Sequence, residues 1–224
     1  FFLTEGGFFY DFFEVLFMAC AILLAWRIPV ERPMRAAGRL GLLAVVAAMA
    51  TWNKEAFFFY VVTLYPFLRR SLPRIKAAGV VAALVFVCGC VYLALRMRYA
   101  GNPGGAVSFQ PGANFFYFLD PGNWFRTEST YGVALPKGLS AVMVLMIAGV
   151  AATGWRLLPT PFRVHVLMAL AVNVPLFLLF AAEGEARNLS MLYPSLLALM
   201  SMALTAWIGA AAASPSAALR TADS

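Results

Sequence analysis

The sequence predicts an all-α fold: a polytopic bundle of transmembrane helices with about five full spans, one hairpin of two short helices and one long external loop. The 224 residues are 62% hydrophobic and 12% charged, with a mean hydropathy of +0.81. Soluble domains are about 45–50% apolar and about 25% charged. Apolar stretches of span length recur, and short basic connections separate several of them. This composition excludes a soluble enzyme and a disordered chain, and it assigns the net charge of +7 to the membrane rather than to a nucleic acid.

Five stretches provide the roughly 20 apolar residues that a crossing needs. We predict full spans at 12–28, 77–95, 139–155, 164–182 and 189–209. Two shorter stretches, 40–52 and 56–68, flank the tripeptide Asn53-Lys54-Glu55. At about 1.5 Å per residue, each covers roughly 20 Å of a hydrocarbon core about 30 Å thick. We therefore interpret 40–68 as a hairpin that enters the membrane and returns.

The distribution of basic residues sets the predicted orientation. They cluster in three short connections: Arg27, Arg32, Arg35 and Arg39; Arg69, Arg70, Arg74 and Lys76; Arg156 and Arg163. The positive-inside rule places all three in the cytoplasm. The N-terminus is then external and the C-terminus cytoplasmic. We expect one transmembrane domain at 1–213, followed by a disordered cytoplasmic tail at 214–224.

The long external connection covers 99–138. It is rich in Gly, Pro and Asn, which favour turns. Between these turns lie the aromatic run 115–119 and Trp124-Phe125. Aromatic clusters of this kind are typical of a segment at the membrane interface. We therefore expect this part of the loop to lie along the outer surface of the bilayer.

The first candidate binding site is Asn53-Lys54-Glu55, at the predicted tip of the hairpin. Short hairpin arms would hold both charges within the membrane, where ionisable residues usually mark a pathway or a binding site. Asn53 is also a favourable N-cap for the second arm, and Glu55 suits the first turn of a helix. The sequence leaves open a structural role, in which Asn53 caps the helix and the two charges pair with neighbours.

The second candidate is the turn before the last predicted span, which carries Glu185 and Arg187. A helix N-terminus attracts anions, and an arginine adds a forked donor that suits phosphate or carboxylate. The alternative is a solvated turn that contains a Glu–Arg pair.

The third candidate is Asp11 with Glu14, which lie three residues apart and therefore on one helical face. Two carboxylates can perform acid–base chemistry or hold a divalent cation. Asp11 beside Tyr10 also suits an interfacial anchor.

Other polar residues have more ordinary interpretations. Arg96 and Arg98 can meet a lipid phosphate or snorkel to the surface. We interpret His165 as structural, and Asn173 with Pro175 as a polar kink in a span. The cysteines lack metal-ligand spacing and predict neither a metal site nor a disulfide framework; they are Cys20, Cys88 and Cys90.

Three segments together resemble the C-terminal portion of bacterial membrane proteins related to the GT-C superfamily, glycosyltransferases that use polyprenyl-phosphate-linked sugars. The segments are YDFFEVLFMACAILLAWR, TWNKEAFFFYVVTLYPFLRR and EGEARNLSMLYPSLLAL. The resemblance extends over most of the chain. Residue by residue it reaches Asn53, Lys54, Glu55, Glu185 and Arg187.

The resemblance implies an inverting glycosyltransferase in the bacterial inner membrane that acts on its external face. Lys54 and Arg187 would neutralise the lipid phosphate, and Glu55 and Glu185 would orient these cations. The catalytic acid of such enzymes lies in a first external loop, so we expect it upstream of this chain and do not equate it with Asp11. The expected partners are membrane lipid and a polyprenyl-phosphate-linked sugar, with a divalent cation left open as cofactor. A transporter or flippase for lipid-linked or anionic solutes, and a non-catalytic membrane protein, remain the alternatives.

Overall fold

The computed structural model describes residues 9–101, 109, 112–130, 133–136, 140–181 and 186–222. Within these ranges, side chains are described at 12–127, 140–181 and 189–209. Nine α-helices follow in chain order: α1 Phe9–Trp26, α2 Pro33–Asn53, α3 Phe57–Tyr60, α4 Tyr65–Leu68, α5 Arg74–Arg98, α6 Ala113–Leu119, α7 Ala141–Gly154, α8 Thr160–Phe180 and α9 Tyr193–Ala222. The described part also contains three 3₁₀ segments, Val61–Leu64, Pro121–Phe125 and Ala186–Leu192.

The predicted helical membrane fold is confirmed. Among the residues that the structure describes, four helical segments are long and apolar enough to cross a membrane: Pro33–Asn53, Arg74–Arg98, Thr160–Phe180 and Leu189–Gly209. A small two-stranded sheet departs from the all-α prediction. Its strands, β1 Thr127–Thr130 and β2 Val133–Pro136, pair antiparallel inside the predicted external loop.

The lengths of individual helices differ from the predicted ones. The first hairpin arm is not short, because α2 begins at Pro33 and extends for 21 residues. The predicted span at 139–155 is the 14-residue α7, which covers about 21 Å. The prediction missed the length of α2 because this helix continues through Arg35 and Arg39, and charged residues were taken as the end of an apolar stretch.

The predicted return of the chain is observed, because both ends of the segment 40–68 lie at the same end of the bundle. Arg39 of α2 donates to the Leu24 carbonyl oxygen near the end of α1, at 2.8 Å. Just beyond α4, the Ser71 hydroxyl accepts a hydrogen bond from the Ile28 backbone N–H, at 3.1 Å. The chain therefore leaves and returns to the level of the α1 C-terminus. We call this level the basic end, defined by the connections 27–32, 69–73 and 155–159.

Aromatic rings join three helices at the basic end. The ring centroid of Trp26 lies 5.8 Å from that of Phe67 and 5.2 Å from that of Phe162, and Arg70 stacks on Trp26. These residues come from the end of α1, the end of α4 and the start of α8. The three predicted basic connections therefore share one end of the bundle.

The second hairpin arm is irregular. It consists of α3 and α4 joined by the 3₁₀ segment Val61–Leu64, so it is not one continuous helix. Asn53 ends α2, and Ala56 occupies the N-cap position of α3 without a capping side chain. The prediction that Asn53 caps the second arm is therefore wrong.

The main core lies between α1, α2, the second hairpin arm and α5. Its fully buried side chains include Met18, Leu43, Phe57, Leu64 and Phe67. A smaller cluster joins α7 to α9, where the backbones approach closely at Gly154. A Cβ placed there would lie 2.7 Å from the Leu199 carbonyl oxygen, so only glycine fits without a shift.

The aromatic part of the long loop packs against the far end of α8. The buried Asn114 of α6 donates through Nδ2 to the carbonyl oxygens of Phe177 and Ala181, at 3.1 and 2.8 Å. It thereby satisfies two carbonyl groups at the C-terminal end of α8. Outward-facing apolar side chains on this segment are Phe115, Phe116, Leu119 and Phe125. The division of the chain at residue 213 and the disordered tail 214–224 stay predictions, although the described helix α9 continues through residue 213 to Ala222.

Candidate functional site

A polar cavity of about 360 Å³ opens at the end of the bundle opposite the basic end. Its walls come from α1, the hairpin tip, α3, α5 and α8. Its charged lining side chains are Glu14, Lys54, Glu55 and Arg96. We call this the polar cavity, and its volume is within the range of about 300–1,000 Å³ for small-molecule sites.

Glu14 is the most buried charge of the polar cavity, with 2% of its side chain exposed. Its Oε2 atom lies 2.6 Å from Lys54 Nζ and 2.6 Å from the Ser190 hydroxyl, which donates to it. These partners come from α2's C-terminal boundary and from the 3₁₀ segment before α9. A buried carboxylate needs such compensation, because removing a charge from water costs several kcal/mol. The cluster therefore joins three distant parts of the chain around one carboxylate.

The second ion pair lies nearer the mouth of the cavity. Arg96 Nη2 lies 2.6 Å from Glu55 Oε2, and the side chains are 51% and 35% exposed. The Arg96 guanidinium also lies over the Tyr92 ring, 5.2 Å from its centroid. Because this guanidinium is half exposed and carries five N–H donors, it can meet an anion at the mouth of the cavity.

The inner wall of the cavity also contains a neutral polar pair. The Tyr60 hydroxyl donates to Asn173 Oδ1, and both side chains are almost fully buried. Asn173 Nδ2 has no hydrogen-bond partner among the residues that the structure describes. The polar cavity thus has charged groups in its lining and, at Asn173, a buried amide donor in its wall.

The predicted site residues have different outcomes. Lys54 and Glu55 both line the polar cavity, and Asn53 precedes them as the last residue of α2. Each charge also has an ion-pair partner, which the structural interpretation of the tripeptide expected. The identity of these partners was not predicted, since Glu14 and Arg96 lie far from the hairpin tip in sequence.

Three other predicted residues are not tested. Asp11 lies in α1 and Arg187 in the segment Ala186–Leu192, but their side chains are outside the described part. Glu185 is outside the described residues altogether. The pairing of Asp11 with Glu14, and that of Glu185 with Arg187, therefore stay predictions.

Sequence reasoning missed the roles of several lining residues. Asn173 was interpreted as a packing residue, and Tyr60 was not selected at all. A signal existed in both cases, because each is polar within an apolar stretch, where a buried polar group needs a partner. Neither residue reveals by spacing that the other is that partner.

An apolar groove of about 600 Å³ shares two backbone segments with the charged cluster around Glu14. We define it by its lining from α1, α7, α8 and the start of α9, which includes Val15, Met146, Leu170, Leu189 and Leu196. Val15 follows Glu14 in the chain, and Leu189 precedes Ser190. The same two backbone segments therefore supply the hydrogen bond between Ser190 and Glu14 and an apolar wall of the groove.

His165 lies away from the polar cavity. Its Nδ1 donates to the Thr63 carbonyl oxygen at 3.0 Å, and its ring packs on Phe67. This contact agrees with the predicted structural role. Among the described residues, no group of three or more His, Cys, Asp or Glu side chains is placed to hold a metal ion.

Comparisons with known proteins identify no relative. No family model matches the chain, and no curated protein or solved structure matches it significantly.

Proposed function

We propose that this chain is a glycosyltransferase-like protein of GT-C type, which transfers a sugar from a polyprenyl-phosphate donor at the external face of the bacterial inner membrane. The observation that carries the proposal is that the backbone segments around Glu14 and Ser190 contribute both to the charged cluster at the polar cavity and to the apolar groove. A lipid-linked sugar has a charged phosphate, a polar ring and a long apolar chain. A charged cavity beside an apolar groove suits such an amphiphile. In this proposal the cavity end is external and the basic end is cytoplasmic, in line with the positive-inside rule.

Lys54 and Arg96 are the cations that we assign to the phosphate. Glu14 and Glu55 hold them in place through their 2.6 Å contacts. From the sequence, Glu55 was expected to orient Lys54. In the structure Glu55 pairs with Arg96 and Lys54 pairs with Glu14, so the partner of each lies on another helix. Cations held in advance by fixed partners stabilise charge that develops on a leaving phosphate without further rearrangement.

In the proposed reaction, an acceptor hydroxyl oxygen attacks the anomeric carbon of the sugar. The bond between that carbon and the phosphate oxygen breaks, and its electron pair leaves with the polyprenyl phosphate. The hydroxyl proton passes to a carboxylate base. The resemblance expects this base in a first external loop, and we assign the role to no residue of the polar cavity.

The test is sugar transfer from labelled polyprenyl-phosphate-linked sugars by the full-length protein in membranes. Lys54→Gln should lower the transfer rate by about 100-fold or more, the usual effect of losing one donor to developing charge. Arg35→Gln is the matched control, because Arg35 is an exposed cation at the basic end. It should retain the wild-type rate.

Variants of Glu55 and Arg187 extend the same assay. Glu55→Gln should lower transfer because Arg96 loses its anchor, and Arg187→Gln tests the predicted second cation. Wild-type rates in Lys54→Gln, Glu55→Gln and Arg187→Gln together would contradict the site assignment.

A transporter of lipid-linked or anionic solutes is the second candidate. The broken second hairpin arm supports it, because discontinuous helices beside a midplane site are typical of transporters. Vesicles that contain the protein separate the two functions. Passage of the intact labelled lipid between leaflets, without release of polyprenyl phosphate, would favour the transporter.

A further inference from the structure

One residue that lines the polar cavity, Asn173, has a buried side-chain donor without an acceptor in the described part of the chain. Asn173 lines the cavity with 1% of its surface exposed, and its Oδ1 accepts from the Tyr60 hydroxyl. Its Nδ2 has no partner within the described part of the chain. A buried donor left in this state costs about 1–3 kcal/mol, and such groups in native structures usually have a functional reason.

The surroundings of Asn173 restrict what the missing acceptor can be. The charges of the polar cavity are already paired with one another, as Glu14–Lys54 and Glu55–Arg96. The other lining side chains of the cavity are mostly aromatic or aliphatic, among them Phe59, Tyr92, Leu176, Phe177 and Phe180. An acceptor that fits here is neutral and belongs to a group that also has an apolar face. Sugar rings have this character, because they combine C–H faces with hydroxyl edges.

We propose that Asn173 determines sugar specificity, with its Nδ2 donating to one hydroxyl oxygen of the donor sugar ring. Tyr60 fixes the amide orientation by donating to Oδ1, which leaves the buried NH₂ group as the part of the amide that still needs an acceptor. This inference rests on the proposed function, since it assigns the sugar to the cavity's interior and the phosphate to its charged mouth. A site that binds a hydroxyl in this way discriminates strongly against analogues that lack it.

The experiment measures binding rather than turnover, using the full-length protein in lipid nanodiscs. The probes are polyprenyl phosphate alone and a panel of polyprenyl-phosphate-linked glucose, mannose, galactose, arabinose and N-acetylglucosamine. Monodeoxy analogues of the tightest binder follow. Wild-type protein should bind at least one sugar-bearing lipid more tightly than polyprenyl phosphate, and should lose about 10- to 100-fold in affinity for one monodeoxy analogue.

Two variants test the residue. Asn173→Asp keeps the shape and an oxygen facing Tyr60, but it removes the donor. Asn173→Leu removes both polar atoms. Each should weaken binding of the preferred sugar lipid about 10- to 100-fold and lose discrimination against that monodeoxy analogue, while binding of polyprenyl phosphate stays unchanged. Asn114→Asp is the control for a buried amide outside the cavity, and it should keep the discrimination if the protein folds.

Any of three results would overturn the inference. The wild-type protein binds no sugar-bearing lipid better than polyprenyl phosphate; the Asn173 variants still discriminate fully against the monodeoxy analogue; or the variants bind all lipids, including polyprenyl phosphate, equally more weakly. The thermal midpoint of each variant identifies any that fails to fold, and Asn173→Asp then decides in place of Asn173→Leu. Failure of the transfer assay with intact sugar discrimination would contradict the proposed enzyme without contradicting this sugar site.

Discussion

The polar cavity contains two ion pairs with the same 2.6 Å separation but different surroundings. In the Lys54–Glu14 pair the side chains are 19% and 2% exposed, and in the Arg96–Glu55 pair they are 51% and 35% exposed. Breaking a buried pair leaves an uncompensated charge and is strongly destabilising, whereas an exposed pair contributes little. Burial therefore makes the Lys54–Glu14 pair important for folding as well as for the proposed phosphate site, and it leaves the Arg96 guanidinium more accessible to a ligand.

The largest expected effect is the removal of Lys54. Lys54→Met should lower the free energy of unfolding by about 3–5 kcal/mol, because the Glu14 carboxylate stays buried without its cation. Denaturation of the purified protein in detergent micelles measures this loss. Lys54→Met combined with Glu14→Leu should recover most of it, since the double variant has no buried charge. Equal free energies of unfolding for the single and double variants would contradict the view that Glu14 without Lys54 is a destabilising buried charge.

A smaller effect is expected at Ser190, which donates to the same carboxylate. Ser190→Ala should cost about 1.5–3 kcal/mol, the usual contribution of a hydrogen bond to a charged group. Ser190→Thr keeps the hydroxyl and is the matched control. An unchanged free energy of unfolding in Ser190→Ala would show that this hydrogen bond contributes little to the compensation of Glu14.

The smallest effect on stability is expected for the exposed pair. Arg96→Gln and Glu55→Gln should each change the free energy of unfolding by about 0–1 kcal/mol. Arg96→Gln should nevertheless lower sugar transfer, because the half-exposed guanidinium is assigned to the phosphate. Measuring stability and transfer on the same preparation tests the comparison directly. A large stability loss with unchanged transfer would reverse the roles of the two pairs.

Part of this site was predictable from the sequence. Lys54 and Glu55 were selected because two charges interrupt an apolar region, and both line the polar cavity. The return of the hairpin followed from the basic connections before and after it. Local spacing and charge distribution were sufficient for both predictions.

The partners of these charges were not predictable in the same way. Glu14 is 40 residues from Lys54, and Ser190 is 176 residues from Glu14. No helical periodicity relates residues on different helices, so their pairing depends on how the bundle packs. Helical spacing could place Glu14 only on the same face as its neighbour Asp11. Its observed partners instead come from the end of α2 and from the segment before α9.

The irregular second hairpin arm, from Phe57 to Leu68, has a consequence for the order in which the bundle assembles. Its Thr63 carbonyl oxygen obtains a partner from His165, 102 residues later in the chain, and Tyr60 meets Asn173 after 113 residues. Polar groups inside a bilayer require satisfaction within the protein. During synthesis the hairpin therefore enters the membrane well before the helix that completes it. We expect this arm to reach its final conformation only after α8 has been inserted, which makes the N-terminal half dependent on the C-terminal half for maturation.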